Sequence, residues 1–196
     1  MKQTMITMAA TALLLAATAQ TATAQRWKDA PQFHFGVRAG LSVTEPLDSW
    51  DGDNDDQALT APSVGVAFDT KVAHIPFYVE TGLYYMNRGC RYTATSYSNH
   101  HAAVSTYTAD NHSVLIPALI SYHAYVADKV AIQPFMGPYL AYGFDADDTD
   151  FGWRFGCGLN VKQMYVNLGF DLGLKDEYNY TSSFFVTLGW NFIGKK

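Results

Sequence analysis

The sequence predicts an all-β protein: a single eight-stranded, antiparallel, up-and-down transmembrane β-barrel preceded by a cleaved N-terminal signal peptide. Three observations carry this. Apolar residues alternate with polar or small ones over eight separate stretches, the period of a strand with two unlike faces. The chain is 15% aromatic but only 16% charged, where a soluble domain carries about a quarter charged residues. No apolar run past the N-terminus reaches the roughly 20 residues of a membrane helix.

The N-terminus opens Met1-Lys2, continues through the apolar core Met8–Ala17 and reaches Ala22-Thr23-Ala24. A positive start, a short apolar core and an Ala-x-Ala site make a secretory signal. The expectation is a signal peptide over 1–24 and an outer-membrane β-barrel domain over 25–196. The core is too short to span a bilayer. No cysteine at the cleavage point offers a lipid anchor.

The clearest strand is the seventh, Gln163–Lys175, where Met164, Val166, Leu168, Phe170, Leu172 and Leu174 oppose Tyr165, Asn167, Gly169, Asp171 and Gly173. It is as long as the roughly 9–11 residues a tilted strand needs to cross a membrane. In chain order, the first strand is Phe33–Val43, whose aromatic and aliphatic residues alternate with His34, Gly36, Arg38, Gly40 and Ser42. The second, Ser63–Val72, sets Val64, Val66 and Phe68 against Gly65, Ala67, Asp69 and Lys71. The third, Phe77–Arg88, sets Phe77, Val79, Leu83 and Tyr85 against Tyr78, Glu80, Gly82, Tyr84 and Arg88. In the fourth, Asn111–Tyr125, both faces are apolar, so its facing stays open. The fifth, Val130–Phe144, is expected to hold a bulge or irregular edge, because Pro134 and Pro138 each lack a ladder donor. The sixth, Phe151–Val161, sets bulky residues against Gly152, Arg154, Gly156, Gly158 and Asn160, and the eighth, Phe184–Phe192, sets Phe184, Val186, Leu188, Trp190 and Phe192 against Phe185, Thr187, Gly189 and Asn191.

Polar segments follow the odd strands: Thr44–Pro62, Gly89–Asp110, Asp145–Asp150 and Asp176–Ser182. Tight links follow strands two, four and six, around Ala73–Pro76, Ala127–Lys129 and Lys162–Gln163. Long loops at one end and short turns at the other are the plan of an outer-membrane barrel. The rival is a soluble, lipocalin-like periplasmic barrel. Volume separates them, since eight strands leave an interior just filled by side chains. Phe35, Phe68, Trp153, Phe170 and Trp190 are too bulky to share it, whereas the glycine-rich face fits; the rings therefore point to lipid. Inside, Arg38, Lys71, Arg88 and Arg154 nearly balance Asp69, Glu80 and Asp171, with His34 and His123 nearby. Such charges survive burial only when paired, which predicts a polar plug closing the lumen.

Candidate chemistry is sparse. The first outer loop holds Asp48, Asp51, Asp53, Asp55 and Asp56; Asp51-x-Asp53-x-Asp55 resembles the start of an EF-hand loop, but Asp56 stands where glycine is needed and Pro62 where glutamate is needed. A looser divalent-cation site shared with Asp145, Asp147, Asp148 and Asp150 is the sharper reading; a hydrated acidic loop is the plainer one. His100, His101 and His112, near Ser96, Ser98 and Ser105, show no fixed acid–His–Ser spacing. Cys90 and Cys157 are set too differently to suggest a disulfide or a metal motif. Trp153, Tyr85, Tyr122, Tyr142 and Trp190 fit aromatic girdles at the membrane interfaces. No catalytic, cofactor-binding or metal-ligating residue is assigned, and no basic patch points to nucleic acid.

The run Ser113-Val114-Leu115-Ile116-Pro117-Ala118-Leu119 resembles the "LEIPLLL" strand of the PorT-like outer-membrane β-barrel family. Gln133-Pro134-Phe135 through Gly137-Pro138-Tyr139 resembles the strand that follows it in the family. Gly36…Gly40-Leu41 and Gly156-Cys157-Gly158 resemble further landmarks. The resemblance implies an eight-stranded barrel in the outer membrane of a Gram-negative bacterium of the Bacteroides type. The namesake's association with protein secretion rests on no motif found here. One departure is the Lys195-Lys196 tail beyond Phe192, the aromatic that barrel-insertion machinery would read. The sequence thus predicts a non-enzymatic cell-envelope protein with a closed polar lumen and acidic outer loops, in a structural, adhesion or assembly-associated role. Its expected partners are the lipid bilayer, lipopolysaccharide and the barrel-insertion machinery. The alternative is an outer-leaflet lipid-modifying enzyme using loop His and Ser.

Overall fold

The computed structural model describes residues 30–46, 55–73, 75–98, 101–127, 129–174 and 181–193. The signal peptide expected over residues 1–24 and the Lys195-Lys196 tail lie outside them. Twelve strands are described: β1 Phe33–Pro46, β2 Asp55–Gln57, β3 Leu59–Lys71, β4 Phe77–Asn87, β5 Cys90–Ser98, β6 His101–Ala109, β7 His112–Tyr122, β8 Ala124–Ala127, β9 Val130–Gly143, β10 Asp148–Val161, β11 Met164–Gly173 and β12 Thr181–Ile193. Eight close a barrel in the circular order β10, β11, β12, β1, β3, β4, β7, β9, with β9 returning to β10. Every neighbour pair is antiparallel. Closure leaves the barrel wall without a free edge, the requirement for backbone in lipid.

The facing follows the alternation. Phe33, Phe35, Phe68, Trp153, Phe184 and Trp190 are exposed on the outer wall, while Gly169 and Asp171 are buried. A soluble barrel would have the reverse arrangement, so the lipocalin-like reading falls. The tight links sit at one end, and each contains a residue with left-handed backbone: Ala73 (φ 49°), Lys129 (φ 63°) and Lys162 (φ 59°).

Three expectations need correction. The fifth stretch is neither an edge nor bulged at its prolines: β9 pairs with β10 without a break from Val130 to Gly143. The prolines act more locally. The β4–β7 ladder breaks opposite Pro117, and the β7–β9 ladder breaks opposite Pro138, because neither ring nitrogen can donate. The bulge lies between Tyr125 and Ala127 of β8, the short strand into which the fourth stretch divides after His123. Second, Gly89–Asp110 is not merely a polar loop, since β5 and β6 pair over nine residues each. Third, the lumen is not lined mainly by small groups. Tyr78, Tyr84, Phe135, Tyr139, Tyr165 and Phe185 all point inward and are almost fully buried.

Glycine makes that filling possible. A Cβ at Gly65 or Gly82 would strike the ring of Tyr84. One at Gly152 would strike Tyr139, one at Gly158 Tyr165, one at Gly169 Phe185, and one at Gly156 both Phe135 and the Leu168 carbonyl. Each inward ring but Tyr78 therefore lies over a glycine on a neighbouring strand, and Tyr84 also over Gly82 of its own strand. Overfilling such a site forces rings and backbone apart. Gly156→Val is expected to cost about 3 kcal/mol, read as a lower urea midpoint for unfolding from lipid vesicles with the slope unchanged.

Candidate functional site

The lumen holds three tiers of polar side chains, each placed by the inward register of its strand. At the turn end, His34 of β1 and Asp69 of β3 are cross-strand neighbours. Their Nδ1–Oδ1 distance is 2.6 Å, and the His34 backbone N–H also donates to Asp69 Oδ1 at 3.0 Å. The Tyr78 ring stacks on His123 with centroids 3.7 Å apart, and its hydroxyl donates to the Pro31 carbonyl. His123 lies between Ser121, whose Oγ is 3.2 Å from Nε2, and Gln133, whose Nε2 is 3.3 Å from Nδ1.

In the middle tier, Arg154 of β10 makes a two-pronged contact with Asp171 of β11, 2.7 Å from Nε and from Nη2. Its guanidinium also lies 5.0 Å from the Tyr84 ring centre and 4.4 Å from that of Phe185. Arg38 covers Tyr165 at 4.3 Å and donates to the Val37 carbonyl. Thr187 donates to Asn167. At the loop end, Arg88 donates to Asp150 at 2.6 Å and to the Tyr139 hydroxyl at 2.9 Å, while Tyr139 donates to Asp150 at 3.0 Å.

These contacts resolve the expected charge balance. His34–Asp69, Arg88–Asp150 and Arg154–Asp171 are the close ionic contacts among the described residues. Arg38 and Glu80, both buried, lie outside these pairs, and Glu80 sits in the fields of Asp69, Arg38, Arg154 and His34. Asp69 and Glu80 are direct cross-strand partners, a like-charged placement that is unfavourable by itself and is offset by the cations around it. Lys71 is only half-buried. Sequence reasoning did not foresee Asp150 inside, because it counted that residue with the acidic loop.

The loop-end candidates do not converge. Asp145 accepts the His112 backbone N–H at 2.7 Å, Asp147 accepts the Tyr142 hydroxyl at 2.5 Å, and Asp148 accepts the Thr149 N–H. With Asp150 turned to Arg88 and Tyr139, none of these hydrogen bonds brings two of the four carboxylates to one donor. No group of three potential ligands is arranged for a metal among the described residues. Asp48, Asp51, Asp53 and His100 lie outside those residues, and Asp55, Asp56 and His101 are described only as strand backbone. His112 pairs with Tyr85, Nδ1 2.9 Å from the hydroxyl. Cys90 and Cys157 are not bonded to each other. The Ser121–His123–Gln133 chain, which no sequence spacing suggested, is inaccessible: Ser121 and His123 are each 1% exposed. It braces the turn end and offers no route for a substrate.

Outside the lumen, the β4–β7 ladder continues past the rim. Asn87 pairs with His112, Arg88 N–H bonds to the Asn111 carbonyl, and Cys90 pairs with Ala109 in the same register. The β5–β6 hairpin that follows is widened by β2 on the β5 side, in the order β2-β5-β6. Nine residues of strand extend about 30 Å.

Residues 9–193 match the family model described as the outer membrane protein beta-barrel domain. No curated protein matches the chain. Among solved structures, Ail, the attachment invasion locus protein of Yersinia pestis, is similar at 8% identity and a TM-score of 0.44, covering 83% of this chain and 99% of that one. Neisserial surface protein A is similar at 11% identity and 0.43, covering 82% and 97%. The translocator domain of the autotransporter NalP from Neisseria meningitidis is similar at 8% and 0.31, covering 95% and 98%.

The Arg154–Asp171 pair generates a direct test. Removing one partner of a buried pair leaves a bare charge, whereas replacing both with apolar residues does not. Arg154→Met alone is expected to cost about 3–5 kcal/mol. Adding Asp171→Leu is expected to recover most of that loss, both measured by urea titration in lipid vesicles.

Proposed function

Since the chain belongs to the outer membrane protein beta-barrel domain family and resides in the cell outer membrane, we propose that it is a sealed membrane anchor whose work is done by the β5–β6 hairpin, as an adhesive ledge on the cell surface. The hairpin is the observation that carries this reading. It extends the barrel wall as paired strands, and within its three-stranded sheet β6 is an edge strand, as the short β2 is on the other side. The β6 sequence, His101-Ala102-Ala103-Val104-Ser105-Thr106-Tyr107-Thr108-Ala109, holds no Lys, Glu, Asp or Pro. Those are the residues that normally blunt an edge. An extended segment of a partner protein could add to it as a further strand. Within this proposal the chain is a PorT-like member of its family, supported by the Ser113–Leu119 and Gln133–Tyr139 runs. Residues 1–24 serve for export, and residues 25–196 reach the membrane through the barrel-insertion machinery.

The lumen supports an anchor rather than a channel, because six rings, two Arg–Asp ion pairs and the His34–Asp69 hydrogen bond occupy it. Absence of catalysis is part of the same proposal, supported by the burial of the Ser121–His123 pair.

Bacteria displaying the protein are expected to adhere to epithelial monolayers, and replacing Cys90–Ala109 with Asn-Gly is expected to abolish adhesion while the barrel still inserts. Undiminished adhesion would defeat the reading. Vesicles carrying the protein should exclude sugars; brisk sugar entry would show a pore. Incubation with lipid A and phospholipid is expected to yield no product, and a product lost with His101 or His112 would favour the enzyme instead.

A further inference from the structure

The β5–β6 hairpin keeps the ladder of β4 and β7 without slip. From Phe77↔Tyr122 through Asn87↔His112 to Cys90↔Ala109 and Ser98↔His101, no residue is inserted or lost on either strand. The hairpin is thus the wall itself carried past the rim. On its β5 side, β2 continues to cover it. On its β6 side the covering strand stops. β9 ends at Gly143 opposite Ser113, Phe144 N–H bonds to the His112 carbonyl, and Asp145 turns back to accept the His112 N–H. Above that turn the outer edge of β6, nine residues from His101 to Ala109, has no ladder neighbour among the described residues.

Symmetry and charge decide what fits this edge. In a closed pair of identical surfaces, residue i of one copy meets j of the other and j meets i. A two-fold axis along the strands would set each carbonyl against its own counterpart. A two-fold perpendicular to the sheet gives an antiparallel ladder, in which N–H meets C=O. Its fullest overlap sets Ser105 opposite Ser105 of the second copy, Val104 opposite Thr106, Ala103 opposite Tyr107 and His101 opposite Ala109. Like charges face to face weaken such pairs, and β6 holds no Lys, Arg, Asp or Glu. The opposite edge, β2, would set Asp56 against itself.

The two ends of β6 also complement each other. His100 and His101 lie at its tip in sequence, whereas its base holds the exposed Asp110 and, on the β9–β10 turn, the exposed Asp145 and Asp147. A ladder centred on Ser105 lowers each tip onto the other copy's base, bringing imidazole donors to carboxylate acceptors. An axis perpendicular to the barrel wall also reverses the barrel's own axis, so the second copy belongs to a facing membrane.

We propose that β6 pairs antiparallel with β6 of a second copy in an opposed membrane, joining one protein-bearing surface to another. The proposal rests on the adhesive reading of the hairpin and names its partner as this same chain.

Two populations of lipid vesicles, labelled in different colours and carrying the protein, test it by fluorescence cross-correlation. Wild-type vesicles are expected to cluster with each other and not with bare vesicles. Ser105 is exposed, so the strand accepts either charge there. Ser105→Lys alone, and Ser105→Glu alone, should each lower clustering roughly tenfold through repulsion across the two-fold. Mixing Ser105→Lys vesicles with Ser105→Glu vesicles should restore it, which also shows that both variants are folded. Undiminished clustering of either variant by itself, or no restoration in the mixture, would overturn the pairing. Wild-type vesicles that stay apart would overturn it too, and adhesion of displaying bacteria to epithelial monolayers would then leave the adhesive reading standing with a different partner.

Discussion

The rest of the structure depends on filling a narrow tube without leaving a cavity or an uncompensated charge. A closed eight-stranded wall satisfies its own backbone, but its bore is fixed by strand number and tilt. Everything inward must then fit a volume the chain cannot adjust. Large rings meet that demand only because the facing position on the next strand is glycine, as at Gly158 beside Tyr165 and Gly169 beside Phe185. The rings in turn supply faces on which guanidinium groups rest, Arg38 over Tyr165 and Arg154 between Tyr84 and Phe185. Packing and charge compensation are therefore one arrangement, and a change to either disturbs the other.

The outer face obeys a different rule. Lipid accepts any apolar shape, so the wall carries Phe, Leu, Trp and Val with no demand for interlocking. Where these residues happen to be short, at Val37, Ala39, Val64 and Val66, the surface is hollow.

At the rim the two regimes meet water. The ladder that makes the wall does not stop there but continues in register into β5 and β6. Sharing one ladder gives the hairpin a fixed origin on the barrel. The acidic residues near the rim are used as acceptors for that architecture, Asp145 for His112 and Asp150 for Arg88.

What the sequence by itself determined is the barrel: eight strands, the inward and outward faces of most of them, and the ends at which loops and turns lie. That information is local, because a period of two and a turn residue are read within a few positions of each other. Three things were decided only by the closed fold. The first is pairing, since Asp171 meets Arg154 and Asp150 meets Arg88 through registers that no spacing encodes. The second is the inward face of β7, where Leu115 and Leu119 are buried though both faces of the strand are apolar; only the neighbours Tyr139 and Phe135 distinguish them. The third is the β5–β6 hairpin, rich in Thr, Ser and Tyr on both faces. It carries no hydrophobic alternation, and its strands became visible only when a ladder below them set the register.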